Sequence, residues 1–375
     1  MRSLEANRMF FLTVMLDLLA EVGIVVYYSM TRAAYDLVSM EIVTELIFLI
    51  PLFLFLFIGN RKSGMSVFKQ LGIRKIRLLP AALSVVYLML LVPVSTLANT
   101  VSMLFTENEI EKLEGEITAL PLWMSVLMIG VIGPVVEETV FRGAVFNAYR
   151  RDKPFGPAPI LLSSLLFGLI HLNLNQAIYA VIMGIGFALI CEATGSLISS
   201  VLCHVSFNSF EVILMYVLKD SKETLPTGEA RLDEIREAIA VMLVLSLVCT
   251  ALAFCLLRYI AVICGRELSL RCIFSRDPRP YPGMQDIPGM QLVQDAPVMQ
   301  RAQEAQRTPI MPGMPGAQGI PGMPETPGKP VNGGYLSPQP RYRVNRGYYA
   351  DTLVTPSLVA GIGICIAIII FSGLI

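Results

Sequence analysis

Residues 133–143 read Gly-Pro-Val-Val-Glu-Glu-Thr-Val-Phe-Arg-Gly, inside an apolar run near 121–149 that is long enough to cross a bilayer. Two adjacent carboxylates and an arginine are costly at such a position and mark a candidate site. On a helix Glu138 and Arg142 stand at i, i+4 and can pair. Pairing makes burial of Glu138 tolerable and turns its neighbour Glu137 about 100° round the helix, free to face something else. The stretch alone leaves two readings open: a salt bridge that locks helices, or a paired carboxylate beside a working one.

The rest of the chain places that stretch in lipid. Of 375 residues 54% are hydrophobic and 15% charged, with 29 basic against 29 acidic. Mean hydropathy is +0.64. An average soluble chain is roughly one-quarter charged, so lipid has to be the main solvent here. A zero net charge without a dense Lys/Arg run excludes a nucleic-acid partner, which is held through many phosphate contacts. Nine apolar stretches lie near residues 9–30, 42–59, 79–98, 121–149, 159–172, 176–194, 197–218, 238–264 and 353–375. The first holds Asp17 and Glu21 with no small-residue cleavage site after it, so it reads as a retained anchor. The expected fold is an all-α polytopic membrane helical bundle of about eight spans, followed by a disordered tether and a ninth transmembrane helix. The expected segments are 1–114 with spans one to three, 115–265 with the core and the eighth span, 266–350 as tether and 351–375 as the last helix.

Lys and Arg are retained on the cytoplasmic side of a membrane. Arg61, Lys62, Lys69, Arg74, Lys75 and Arg77 after the second span, and Arg150, Arg151 and Lys153 after the fourth, place those loops inside. The acidic loop with Glu107, Glu109, Glu111, Glu114 and Glu116 belongs outside, and alternation puts the N-terminus in the cytoplasm. Residues 277–350 hold 14 Pro and 10 Gly, too many for helix or sheet, and read as a flexible tether. In the last span Gly361 and Gly363 suit a helix contact, though a plain anchor reads equally well. The seven scattered cysteines have no C-x-x-C pair and read as ordinary apolar-helix residues.

Other ionisable residues fall in spans. Asp17 with Glu21 and Glu41 with Glu45 share helix faces at i, i+4 and are expected at interfaces or loops, as is Glu192 before a Gly-Ser turn. The chain has two histidines, His171 in the fifth span and His204 in the seventh, and Asn208 follows His204 at i+4 on the same face. A lone histidine in an apolar helix is commonly structural. At 1.5 Å per residue, Glu137 lies about 20 Å in from Arg150, His171 about 18 Å from Pro159, and His204 and Asn208 about 12 and 18 Å from Ser196. Unrelated structural residues have no reason to share a depth. The fifth span is short and ends in Asn173, Asn175 and Gln176, which suits the lining of a water-containing cavity. A desolvated carboxylate beside a histidine can deprotonate water, and a second histidine with an asparagine can donate to an oxyanion. Those parts suffice for peptide hydrolysis without a Ser or Cys nucleophile. A proton-coupled transporter is disfavoured by the lack of repeated halves with matching broken helices.

Glu137-Glu138-x-x-x-Arg142, Phe167-x-x-x-His171 and His204-x-x-x-Asn208, with the Thr194-Gly195-Ser196-Leu197 turn, resemble the ordered motifs of the CAAX-protease and bacteriocin-processing family, the type II CAAX prenyl endopeptidase relatives also called Abi proteins. The resemblance covers roughly residues 115–220. It implies an intramembrane glutamic endopeptidase with Glu137 as general base on water, helped by His171. His204 and Asn208 would stabilise the oxyanion, and Glu138 and Arg142 would orient the site. No metal is expected, since there is no H-E-x-x-H; the alternative is a zinc site of Glu137, His171 and His204. The implied partners are the bilayer and a membrane-associated or lipid-modified peptide, with nothing in the sequence to fix an oligomeric state. A catalytically silent scaffold or immunity protein with the same fold is the alternative. Short loops without an organellar signal suit a bacterial plasma membrane.

Overall fold

The computed structural model describes residues 2–31, 37–63, 66–106, 108–219, 229–274 and 353–372. Among them every regular element is helical: α1 (Ser3–Thr31), α2 (Leu37–Ser63), α3 (Val67–Gln70), α4 (Leu78–Met89), α5 (Val92–Ser102), α6 (Glu109–Ala119), α7 (Leu122–Asp152), α8 (Ala158–Leu169), α9 (Leu174–Thr194), α10 (Leu197–Leu218), α11 (Glu229–Ile263), α12 (Glu267–Phe274) and α13 (Pro356–Ser372). Among the described residues seven candidate spans are long and apolar enough to cross a membrane, and Ala158–Leu169 and Pro356–Ile370 are shorter apolar helices. The chain is therefore an all-α multi-pass membrane bundle. Residues Met1–Met290 and Thr352–Ile375 form one compact unit; Gln291–Asp351, which contain most of the expected tether, lie outside the described residues.

Four local departures from the expected pattern have physical causes. The third span breaks at Leu90–Leu91 into α4 and α5 because Pro93, in the first turn of α5, has no N–H to continue the ladder. The acidic segment after it is helical as α6 instead of a plain loop. Residues 267–274, expected in the tether, form α12 and bury Ser269, Leu270, Cys272 and Ile273. Glu45 and Glu192, expected at interfaces or loops, are buried, whereas Asp17 is half-buried and Glu21 exposed. The side chain of Glu41 lies outside the described residues.

α9 is the most buried of the long spans and packs against α5, α8, α10 and α11. The last helix docks instead of standing apart, with α13 lying along α1 and touching α8. Asn7, fully buried, donates its amide to the Leu353 carbonyl at 2.8 Å and to Thr355 at 3.0 Å, and accepts from the Tyr149 hydroxyl at 2.5 Å. Gly361 makes the approach possible, because a Cβ there would stand 3.1 Å from the Phe10 ring; a Cβ at Gly363 would meet nothing within 4 Å.

The loops with excess Lys and Arg meet at one end of the bundle. There the Arg151 guanidinium donates to the Gln70 carbonyl at 2.7 Å, the Ser196 hydroxyl to the Arg74 carbonyl at 2.5 Å, and the Gly156 amide to the Cys272 carbonyl at 3.0 Å. At the opposite end the Tyr216 hydroxyl bonds the Ile117 and Leu120 carbonyls, both at 2.7 Å, joining α10 to the α6–α7 corner.

Candidate active site

The site is built on a distortion of α7. Its ladder widens to the i→i+5 pattern over Val126–Ile132 and again over Thr139–Phe146, on either side of Gly133–Glu138. Wide turns of this kind recur at functional sites. The Gly133 N–H bonds the Met128 carbonyl, and Pro134 has no N–H, so the Ile129 carbonyl has no donor within its own helix. α10 supplies one: Asn208 Nδ2 lies 3.3 Å from that carbonyl, and Ser209 Oγ lies 3.2 Å from the Gly130 carbonyl. Gly130 permits the contact, since a Cβ there would fall 2.7 Å from Ser209 Oγ.

One turn further on, Arg142 Nη1 is 2.7 Å from Glu138 Oε1, and both side chains are completely buried. His204 Nδ1 is 3.1 Å from the same oxygen. The carboxylate oxygen paired with arginine accepts, so Nδ1 is the donor. The other ring nitrogen, Nε2, then faces Glu137 Oε2 at 3.8 Å, within ion-pair range but beyond a hydrogen bond. The expected Glu138–Arg142 pair is therefore present, and Glu137, turned away from it as its place on the helix suggested, faces His204. Its side chain keeps 25% exposure, against none for Glu138. His204 thus lies between the two carboxylates.

His171 sits where α8 ends. Its N–H and that of Leu172 bond the Gly168 and Leu169 carbonyls at 3.3 and 3.2 Å, a tightened last turn. Leu172 follows with φ 53°, a left-handed conformation that costs an L residue of order 1–3 kcal/mol and fixes the reversal. His171 Nδ1 lies 2.8 Å from the Phe167 carbonyl and must donate to it, which leaves Nε2 as the basic nitrogen of the neutral ring.

Phe167 and Phe187 frame these groups. The Arg142 guanidinium carbon lies 4.1 Å from the Phe167 ring centre and 5.1 Å from that of Phe187. His204 stacks on Phe187 at 4.6 Å and 26°, and both histidine rings stand edge-on to Phe167, His171 at 5.2 Å and His204 at 5.8 Å. Among the described residues Arg142 Nε and Nη2 have no hydrogen-bond partner, and aromatic faces take the place of acceptors. Phe187 and Gly184 are the participants that the sequence hid. A Cβ at Gly184 would stand 3.0 Å from Arg142 Nη2, so the glycine gives the guanidinium its room. In sequence both are ordinary members of an apolar span, and no motif marks them.

Among the described residues no three His, Cys, Asp or Glu side chains are grouped to hold a metal ion, so the alternative zinc set of Glu137, His171 and His204 is not assembled as ligands. Both ring nitrogens of His204 are already turned to carboxylates. The seven cysteines are all free thiols, and Cys203 donates to the Ser84 carbonyl at 3.1 Å.

Comparison with known proteins covers this same region. Residues 119–210 match the family described as Type II CAAX prenyl endopeptidase Rce1-like. A protein of Bacillus subtilis (strain 168) named "Putative membrane peptidase YdiL" is 32% identical over 98 residues, 26% of this chain and 39% of that protein. The chain thus aligns with about two-fifths of that relative's length. No solved structure matches the chain.

Proposed function

From the match over residues 119–210 we propose that the chain is a type II CAAX prenyl endopeptidase-like intramembrane endopeptidase cleaving membrane-associated or lipid-modified peptides. The observation that carries the reading is the linked row Arg142, Glu138, His204 and Glu137, in which the last carboxylate alone keeps access. Glu137 takes a proton from water as the water oxygen attacks the peptide carbonyl. His171, with Nε2 as its basic nitrogen, assists that proton transfer. The negative charge that develops on the carbonyl oxygen is met by His204 as an imidazolium, whose Nδ1–H stays on Glu138 while its Nε2–H turns to the oxygen, and by the second N–H of Asn208, whose first is on Ile129. Breaking the C–N bond returns the proton from Glu137 to the leaving amine, so the products are a free acid and a free amine.

Glu138 acts through His204, holding Nδ1–H, and Arg142 pairs with Glu138 and holds it in place; these two are positioning residues. The chemistry uses no metal, and cleavage is expected to persist in EDTA. The setting we propose is a bacterial plasma membrane with the N-terminus in the cytoplasm. The test is substrate trapping: full-length Glu137→Gln protein, captured from its native membrane and analysed by mass spectrometry, is expected to hold peptides that the wild-type protein releases cut. Identical catches from both proteins, with no cleaved product, would favour a catalytically silent scaffold.

A further inference from the structure

α11 and α12 meet at the basic end of the bundle, away from the site. The apolar span Ile239–Ile263 ends in a turn where Gly265, at φ 66°, sends its N–H to the Val262 carbonyl and the Arg266 N–H reaches back to Ala261. This is the left-handed helix stop that glycine favours. It folds α12 back beside α11 and leaves a cleft of about 390 Å³ lined by Phe254, Arg258, Glu267, Leu268, Arg271 and Phe274 among others.

The lining is divided by polarity. Arg258 is an exposed arginine five residues before the end of the apolar span, about 7.5 Å deep, where its long stem lets the guanidinium reach the headgroup level. Arg271 is exposed on α12 and pairs with Glu267 at 2.7 Å. Two arginines against one carboxylate leave the cleft one positive charge. Phe254 and Phe274 meet edge to face at 6.1 Å and stay 43% and 64% exposed. An amphiphile with an anionic head satisfies both halves; a free anion would use only the arginines.

We propose that the α11–α12 cleft binds an anionic phospholipid, with its phosphate on Arg258 and Arg271 and its first acyl carbons on Phe254 and Phe274. The seat holds α12 against the membrane surface. α12 carries Ser269, whose hydroxyl bonds buried Glu192, so the bound lipid braces that contact too. The test takes the full-length protein from nanodiscs of equal phosphatidylglycerol and phosphatidylcholine into native mass spectrometry. The wild-type protein is expected to retain phosphatidylglycerol over phosphatidylcholine by about tenfold, and Arg258→Gln/Arg271→Gln to retain the two equally. Glu267→Gln, which removes the competing carboxylate, is expected to raise phosphatidylglycerol retention. An unchanged preference in the double variant overturns the proposal. So does displacement of the bound lipid by millimolar inorganic phosphate, which would reduce the site to a simple anion site.

Discussion

α7 carries two buried arginines, and their partners differ in kind. At its end Arg150 donates through Nε and Nη2 to Glu192 at 3.0 and 3.2 Å, Arg266 adds a contact at 3.3 Å, and the Ser269 hydroxyl also bonds that carboxylate. Both Glu192 oxygens are filled. In the middle of α7, Arg142 reaches Glu138 through Nη1, while Arg142 Nε, Arg142 Nη2 and Glu138 Oε2 have no hydrogen-bond partner among the described residues. A saturated cluster ties α7, α9 and α12 together. The unsaturated one is held by the faces of Phe167 and Phe187 and keeps a histidine and a second carboxylate within reach, an arrangement suited to moving protons. Burial of charge alone does not separate structure from chemistry; the degree of satisfaction does.

The largest break in that contrast is expected at Arg142. Arg142→Met leaves Glu138 as an uncompensated buried charge, expected to cost about 3–5 kcal/mol of stability in a detergent melt. Adding Glu138→Gln is expected to restore most of the stability but not peptide cleavage, because His204 then loses the anion that sets its Nδ1–H. Glu192→Gln sharpens the other side: it is expected to lower stability by about 1–3 kcal/mol and leave the cleavage rate per folded molecule unchanged. If Glu192→Gln instead abolished cleavage at unchanged stability, the division between the two clusters would fail.

Smaller effects test the frame. Phe187→Leu removes a stacking face from His204 and one from Arg142, and is expected to cost about 1–2 kcal/mol and slow cleavage more than it weakens substrate binding, read as a split between kcat and KM. Gly361→Leu drives a side chain into Phe10 and is expected to loosen α13 at a cost of about 1–3 kcal/mol, with cleavage retained.

How much of this was legible beforehand depends on the kind of signal. Spans follow from runs of apolar residues, so their order could be read directly, although two of the nine, Ala158–Leu169 and Pro356–Ile370, are shorter helices, and the basic loops meet at one end. The Glu138–Arg142 pair follows from i, i+4 spacing along one helix. The contact between His204 and both carboxylates does not, because it depends on how α10 seats against α7. That seating is set by Gly130, by Pro134 and by Asn208 and Ser209, which meet the Ile129 and Gly130 carbonyls. Phe187 and Gly184 were invisible for a related reason: their roles lie in the space around Arg142, and nothing in an apolar run distinguishes a wall from a filler. Glu192 was misplaced because neither partner is near it in sequence, with Arg150 42 residues before it and Arg266 74 after.

The most direct measurement compares wild-type and Glu137→Gln proteins, reconstituted side by side, in cleavage of a membrane-peptide library, with melting temperature as a control for folding. The account predicts a loss of about 10²–10⁴-fold in cleavage rate with no significant change in melting temperature. Equal rates from the two proteins would contradict it.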